Sequence, residues 1–208
     1  MDVYCATETR LTRDVPDSLI CPKGYRVFRH DRFTSGGGVA VFAKTGICAT
    51  LVDMPLEFSH IEIVFVDLTF VCFTCRLICA YHKPGFSDVD VQYISDCLRC
   101  LKRLCSTEIL VIITGDCNLP DIDWSYYHAP NSVVYNMFLD FVNNFGLHQY
   151  GNQPTRNENI LDVVMTTSDT FLEDLSVSVP LGTSDHNTVI LKTNFQANIG
   201  DQATTVSY

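Results

Sequence analysis

Two rhythms of apolar residues run through the chain, and polar turns separate the runs. In the first rhythm, short stretches are either apolar throughout or alternate apolar with polar, the pattern of strands buried on both faces or on one. It predicts strands over residues 3–6, 25–28, 38–43, 61–67, 71–80, 109–114, 160–166, 175–179 and 188–193. In the second rhythm, Ile94, Cys97, Leu98, Leu101, Leu104 and Cys105 recur at helical spacing within 89–105, as do Val134, Met137, Phe138, Phe141, Val142 and Phe145 farther on. Asn131 and Ser132 stand where they can cap the later helix, and Gly146 is placed to stop it. Two helices among about nine strands predict a layered α/β protein, two packed β-sheets with helices outside, and not a strictly alternating βαβ chain.

Composition narrows this picture. At 208 residues, 47% hydrophobic and 18% charged, the chain has the size and apolar content of one domain, continuous to about Phe195. Residues 196–208 lose the apolar pattern and are expected to form a flexible tail. The most apolar stretch, IEIVFVDLTFVCFTCRLICAY, is long enough for a membrane span, but Glu62, Asp67 and Arg76 lie inside it. Two buried strands with a turn between them are expected there. The opening residues, MDVYCATETR, place no basic segment before an apolar one, so no secretory signal is read and an intracellular chain is expected.

The 10 cysteines lie mostly in strand or helix patterns, where a reduced thiol packs as a small hydrophobe. The Cys72/Cys75 and Cys97/Cys100 spacings lack the turn glycines and histidine partners of a zinc knuckle and are read as packing. A net charge of −10 argues against a broad basic face for nucleic acid, yet leaves room for a cleft of acids that binds divalent cations.

Several strands end in one conspicuous polar group. Glu8 follows VYCAT, Tyr81 follows VCFTCRLICA, and Gly115, Asp116, Cys117 and Asn118 follow ILVIIT. A tight turn at the last of these presents Asp116 and Asn118 together, either to hold a metal-bound water or an attacked phosphate, or only to satisfy local backbone as an Asx-type turn. In NILDVVMT, Asp162 interrupts an apolar face between Ile160 and Val164, and a buried acid needs a cation, a metal or an imidazole. His186, beside Asp185 in LGTSDHNTVIL, is the candidate partner. A carboxylate on one ring nitrogen fixes the tautomer and leaves the other nitrogen for reaction, although an ordinary loop can also hold an Asp-His pair.

Glu8, Tyr81, Asp116, Asn118, Asp162, Asp185 and His186 are the groups that metal-assisted phosphodiester hydrolysis uses. The blocks TETRL, AYHKPG, GDCNLPDIDW, QPTRNENILDVVMT and GTSDHNTVIL resemble the endonuclease domain of non-LTR retrotransposons of the jockey and chicken-repeat type, within the exonuclease-endonuclease-phosphatase superfamily. The resemblance runs from Asp2 to about Phe195. It implies a four-layer α/β sandwich, two β-sheets face to face with helices outside, and hydrolysis with Mg²⁺, Mn²⁺ being the alternative ion. It makes Glu8 a ligand of the ion with Asp185 near it, Tyr81 a contact to the scissile phosphate, and Asp116 the group that positions or activates the attacking water. Asn118 would hold the phosphate beside it, and Asp162 with His186 would form the carboxylate-imidazole pair that stabilises developing charge. The implied outcome is a nick in double-stranded DNA whose 3′ hydroxyl primes a reverse transcriptase domain of the same polyprotein, in the nucleus and without membrane attachment.

Softer candidates surround this set. Thr155, Arg156 and Asn157 precede the Asp162 strand, as contacts to DNA backbone or as a solvated turn. Arg29 and Arg32 flank His30 ahead of three glycines, a hairpin with a basic tip that lies along DNA or merely in solvent. In the family the domain opens with a strand carrying an active-site Asn, then a helix, ahead of the TET block. Here the chain starts at the TET strand, so an exposed sheet edge and weak or absent activity are expected of these 208 residues. Two other readings stay open: a phosphoesterase of the same superfamily acting on lipid or inositol phosphates, and an inactive remnant kept as a binding module.

Overall fold

Side chains of the central strands alternate between two cores, and that alternation sets the architecture. The computed structural model describes residues 1–32, 36–105 and 109–196. In chain order the elements are β1 (Val3–Thr7), α1 (Asp17–Ile20), β2 (Tyr25–His30), β3 (Val39–Lys44), β4 (Cys48–Leu51), β5 (Glu62–Thr69), β6 (Thr74–Tyr81), α2 (Asp88–Leu104), β7 (Leu110–Asp116), α3 (Val133–Asn144), β8 (His148–Gln149), β9 (Asp162–Thr166), β10 (Leu172–Ser178) and β11 (Thr188–Thr193). Each strand and helix read from the sequence is present, and the mixed α/β layering holds. Of the expected tail, residues 197–208 lie outside the described residues.

Six strands form one sheet in the order β4-β5-β6-β7-β9-β8. Its neighbours are antiparallel except β6 and β7, whose parallel pairing needs a crossover that α2 supplies. Ile63 and Phe65 of β5, Ile78 of β6, Ile113 of β7 and Met165 of β9 bury on one face, against Leu98 and Leu101 of α2 and Phe138, Phe141 and Val142 of α3. Val64 and Val66 of β5, Leu77 of β6, Ile112 of β7 and Val164 of β9 bury on the other, against Val39 and Val41 of β3 and Leu175, Val189 and Leu191 of β10 and β11.

Two smaller antiparallel sheets, β1-β3-β2 and β10-β11, therefore share the second layer. Between them that layer is open. β1 faces β11 across a cleft of about 1510 Å³, floored by Leu77, Ile112, Thr114 and Val164 of the large sheet. Among the described residues β1 pairs only with β3 and β11 only with β10, so both present bare ladder edges to the cleft.

Two of the charges inside the apolar stretch are each other's partners. Asp67 and Arg76 stand opposite each other in the β5–β6 ladder and share two hydrogen bonds of 2.7 Å. No helix among the described residues is long and apolar enough to cross a membrane. Cys97 and Cys100 both pack in the helical core, while Cys72 is exposed and Cys75 buried. The turn between β5 and β6 comes later than the pattern suggests, because Phe70 and Phe73 stack at 5.1 Å with Phe195 against both. Apolar residues there serve a cluster at the turn and not a strand. The pattern also misses β4, a mostly exposed edge strand, the two-residue β8, and α1, which buries no side chain.

Candidate active site

One ladder row carries most of the site. Tyr81 ends β6, Asp116 ends β7 and Asp162 begins β9, and the register pairs Tyr81 with Asp116 and Asp116 with Asp162. Residues directly opposite in a ladder share a face, so these side chains line up where the second layer is open. Glu8, just beyond β1, and His186, just before β11, arrive from that second layer. Glu8, Asp116, Asp162, Asp185 and His186 all line the cleft.

Asp116 depends on its neighbours in sequence. Gly115 has φ +130°, and a Cβ there would meet the Ala80 carbonyl oxygen at 2.0 Å, so only glycine lets β7 run this close to β6. Asn118 has φ 47°, a left-handed turn residue that folds its own amide back on Asp116. Asp116 is 3% exposed and accepts from the Asn118 N–H at 3.0 Å and from its side-chain amide at 2.7 Å. The same amide donates to the His82 carbonyl at 2.9 Å. Both amide hydrogens are thus committed, which makes Asn118 a positioning residue for Asp116 and leaves no donor for the phosphate the resemblance assigns it. Burial, and then the charge of Asp162, push the Asp116 carboxyl up to about 7.

His186 Nδ1 lies 2.7 Å from Asp162 Oδ2. That hydrogen bond, foremost, holds the imidazole above its ordinary pKa, so the charged form persists toward neutral pH. Thr155 supports the pair from beneath. It is 1% exposed, its hydroxyl accepts the Leu161 and Asp162 N–H groups at 3.0 Å each, and its carbonyl accepts the Asn187 N–H at 2.7 Å. So placed, it ties the start of β9 to the His186 loop and is a buried pin, not the DNA contact expected of it. Thr155→Val is expected to cost about 2–4 kcal/mol of stability, since two buried N–H groups lose their acceptor, and a denaturant melt would measure it.

The remaining candidates separate. Glu8, at φ 48°, accepts from the Tyr81 hydroxyl at 2.7 Å and from Arg10 at 3.3 Å. Burial, then the Glu8 hydrogen bond, raise the Tyr81 phenol above its usual range, so it stays a donor. Asp185 is exposed and pairs with Arg156 at 2.5 Å, and Asn157 is exposed at the tip of a tight turn beside them. Arg29 is engaged by Asp17 at 2.8 Å and Asp31 at 3.1 Å, and Arg32 by Glu62. The hairpin's expected basic tip therefore has its guanidinium charges already matched.

Among the described residues no three His, Cys, Asp or Glu side chains converge closely enough to cage a metal ion. Mg²⁺ rarely uses such a cage: one or two carboxylates, several waters and the substrate phosphate suffice. Glu8, whose side chain is 41% exposed and faces the cleft, suits that mode, with Asp185 at the rim once it leaves Arg156.

A family model described as endonuclease-reverse transcriptase matches residues 75–190, which spans Tyr81, Asp116, Asn118, Asp162, Asp185 and His186. The chain belongs to this family. As an endonuclease-reverse transcriptase family member, it has the fold of the endonuclease/exonuclease/phosphatase superfamily and stands among nuclease-type enzymes. The endonuclease domain of TRAS1, a telomere-specific non-LTR retrotransposon, is similar with a TM-score of 0.69 and 17% identity over 94% of this chain and 87% of that one. The Xenopus laevis APE2 catalytic domain is similar with a TM-score of 0.70 and 15% identity, covering 94% and 84% of the two chains. An AP endonuclease from Archaeoglobus fulgidus gives 0.66 and 15%, covering 93% and 89%. No curated protein matches the sequence.

Proposed function

We propose that this domain hydrolyses one phosphodiester of double-stranded DNA with Mg²⁺, leaving a 3′ hydroxyl that primes reverse transcription by a polymerase domain of the same polyprotein in the nucleus. The observation that carries the reading is the arrival of Glu8, Asp116, Asp162 and His186, from four separate parts of the chain, at one cleft. The match to an endonuclease family favours DNA over lipid or inositol phosphates.

Asp116 acts as the base toward the attacking water. Its carboxyl, pushed up to about 7, accepts a proton more readily than an ordinary aspartate, while Asn118 fixes its orientation. His186, whose charged form Asp162 favours, turns its second nitrogen to a phosphate oxygen and offsets the charge that grows there. Glu8 would hold Mg²⁺, or Mn²⁺ in its place, which when bound neutralises phosphate charge. Arg156, which lines the cleft, and the exposed Asn157 next to it in sequence would meet the DNA backbone.

Conversion of supercoiled plasmid to the nicked form tests this. Nicking in Mg²⁺ is expected to stop on adding EDTA, to return with excess Mg²⁺ or Mn²⁺, and to leave ends that a DNA polymerase extends directly. Nicking that persists in EDTA, or ends that need dephosphorylation before extension, would contradict it.

A further inference from the structure

The row that holds Tyr81, Asp116 and Asp162 has a fourth member. Glu62 opens β5 and stands opposite Tyr81 in the β5–β6 ladder. It is 2% exposed and its carboxylate does not point to the cleft; it reaches the glycine run that leads into β3. One oxygen accepts the Gly38 N–H, and the other accepts the Arg32 guanidinium, with Nε at 3.0 Å. The fit is close: at Gly37, φ +68°, a Cβ would fall 2.1 Å from the Glu62 carboxylate, and at Gly38, φ +89°, one would fall 2.5 Å from the Thr9 hydroxyl.

The glycine run then grips the chain just past Glu8. Gly38 accepts the Thr9 N–H at 3.2 Å and Gly37 accepts the Arg10 N–H at 2.8 Å. Both Glu8 and Arg10 sit at positive φ, 48° and 54°, a conformation that needs such outside support in a residue with a side chain. Arg32 also lies over the Tyr81 ring at 5.9 Å, so the same ion pair touches the residue whose hydroxyl donates to Glu8.

We propose that Glu62 and Arg32 are positioning residues: the buried Glu62 carboxylate, paired with the half-buried Arg32, fixes Gly37 and Gly38, whose carbonyls hold the backbone after β1 in the turn that aims Glu8 at the cleft. The proposal rests on the endonuclease reading for its effect on catalysis, but the clamp itself is a statement about backbone hydrogen bonds. Losing a buried charge partner leaves the other charge uncompensated, so the turn loosens.

The test compares Glu62→Gln with Val64→Ala, a β5 core truncation two residues along that lowers stability without touching the clamp. Amide hydrogen exchange at Thr9 and Arg10 is expected to quicken about tenfold or more in Glu62→Gln, with Val64→Ala leaving those two amides at the parent rate relative to its global stability. In the nicking assay, Glu62→Gln is expected to lower kcat about 10- to 100-fold with KM for plasmid little changed, the size seen when an outer partner of a ligand is lost. Arg32→Lys, which keeps the charge, is expected to restore part of the protection lost in Arg32→Ala. Unchanged exchange at Thr9 and Arg10 in Glu62→Gln would overturn the clamp, as would equal effects of Glu62→Gln and Val64→Ala. If the parent chain fails to nick DNA, the endonuclease reading falls while the exchange rates still decide the clamp.

Discussion

Mg²⁺-dependent nicking by the His186→Ala variant is expected to fall by about 100- to 10,000-fold, the range found when a positioned proton-transfer or charge-stabilising group is removed. At the same time, folding should be little disturbed, because the imidazole is at the cleft and not in either core. The loss belongs to kcat: a group that meets the phosphate only as charge develops leaves ground-state binding largely alone. Asp162→Asn should lower kcat too. An amide in place of the acid no longer holds the imidazole above its ordinary pKa, so the alkaline limb of the rate profile should move to lower pH. Initial rates on supercoiled plasmid between about pH 5.5 and 9, the range in which histidine titrates in proteins, would show both effects. Equal rates for parent and His186→Ala would remove His186 from the site.

Replacing Asp116 by asparagine is expected to abolish nicking while raising stability at neutral pH by about 1–3 kcal/mol, or several degrees in Tm for a chain of this size. The sign follows from linkage. The folded-state carboxyl is pushed up to about 7, whereas an unfolded aspartate ionises near its ordinary value of about 3.9. Below that ordinary value both states are protonated and the group adds no penalty. As pH rises toward about 7 the unfolded chain gives up the proton and the folded chain keeps it, so folding of the parent is progressively disfavoured. The gain from Asp116→Asn should therefore be absent near pH 4, grow through the interval, and level off above about pH 7. Thermal melts of both proteins across that interval would check it, and a gain that shrank as pH rose would contradict it.

The parts of the fold that announced themselves in the sequence are those in which local pattern and long-range packing agree. α2 and α3 carry apolar residues at helical spacing because one side of each meets the large sheet. β5, β6 and β7 read as nearly continuous apolar runs because they bury both faces. β4 and β8 left little trace, since one is mostly exposed and the other has two residues.

For the site, Asp162 and Asp116 were legible as acids set against apolar strand patterns. Glu62 breaks the face it shares with Val64 and Val66 in the same way, but no partner near it in sequence ties it to the site. Its partners, Arg32 and Gly38, come from a hairpin 30 and 24 residues away. Thr155 and Asn118 were legible as polar residues beside the site, but not as to role. Whether a hydroxyl or an amide meets substrate or backbone is decided by which neighbouring N–H groups and carbonyls the fold brings to it.

The most direct test of the central claim is an NMR titration of the protein with Mn²⁺, whose unpaired electrons broaden signals near the bound ion. The side-chain and backbone signals of Glu8, Asp116, Asp162 and His186 are expected to broaden together at the lowest Mn²⁺ additions and to recover when excess Mg²⁺ is added. Broadening that appears first at other acids, such as Asp121 and Asp123, with His186 and Glu8 still sharp, would show that these residues do not share a metal-binding cleft.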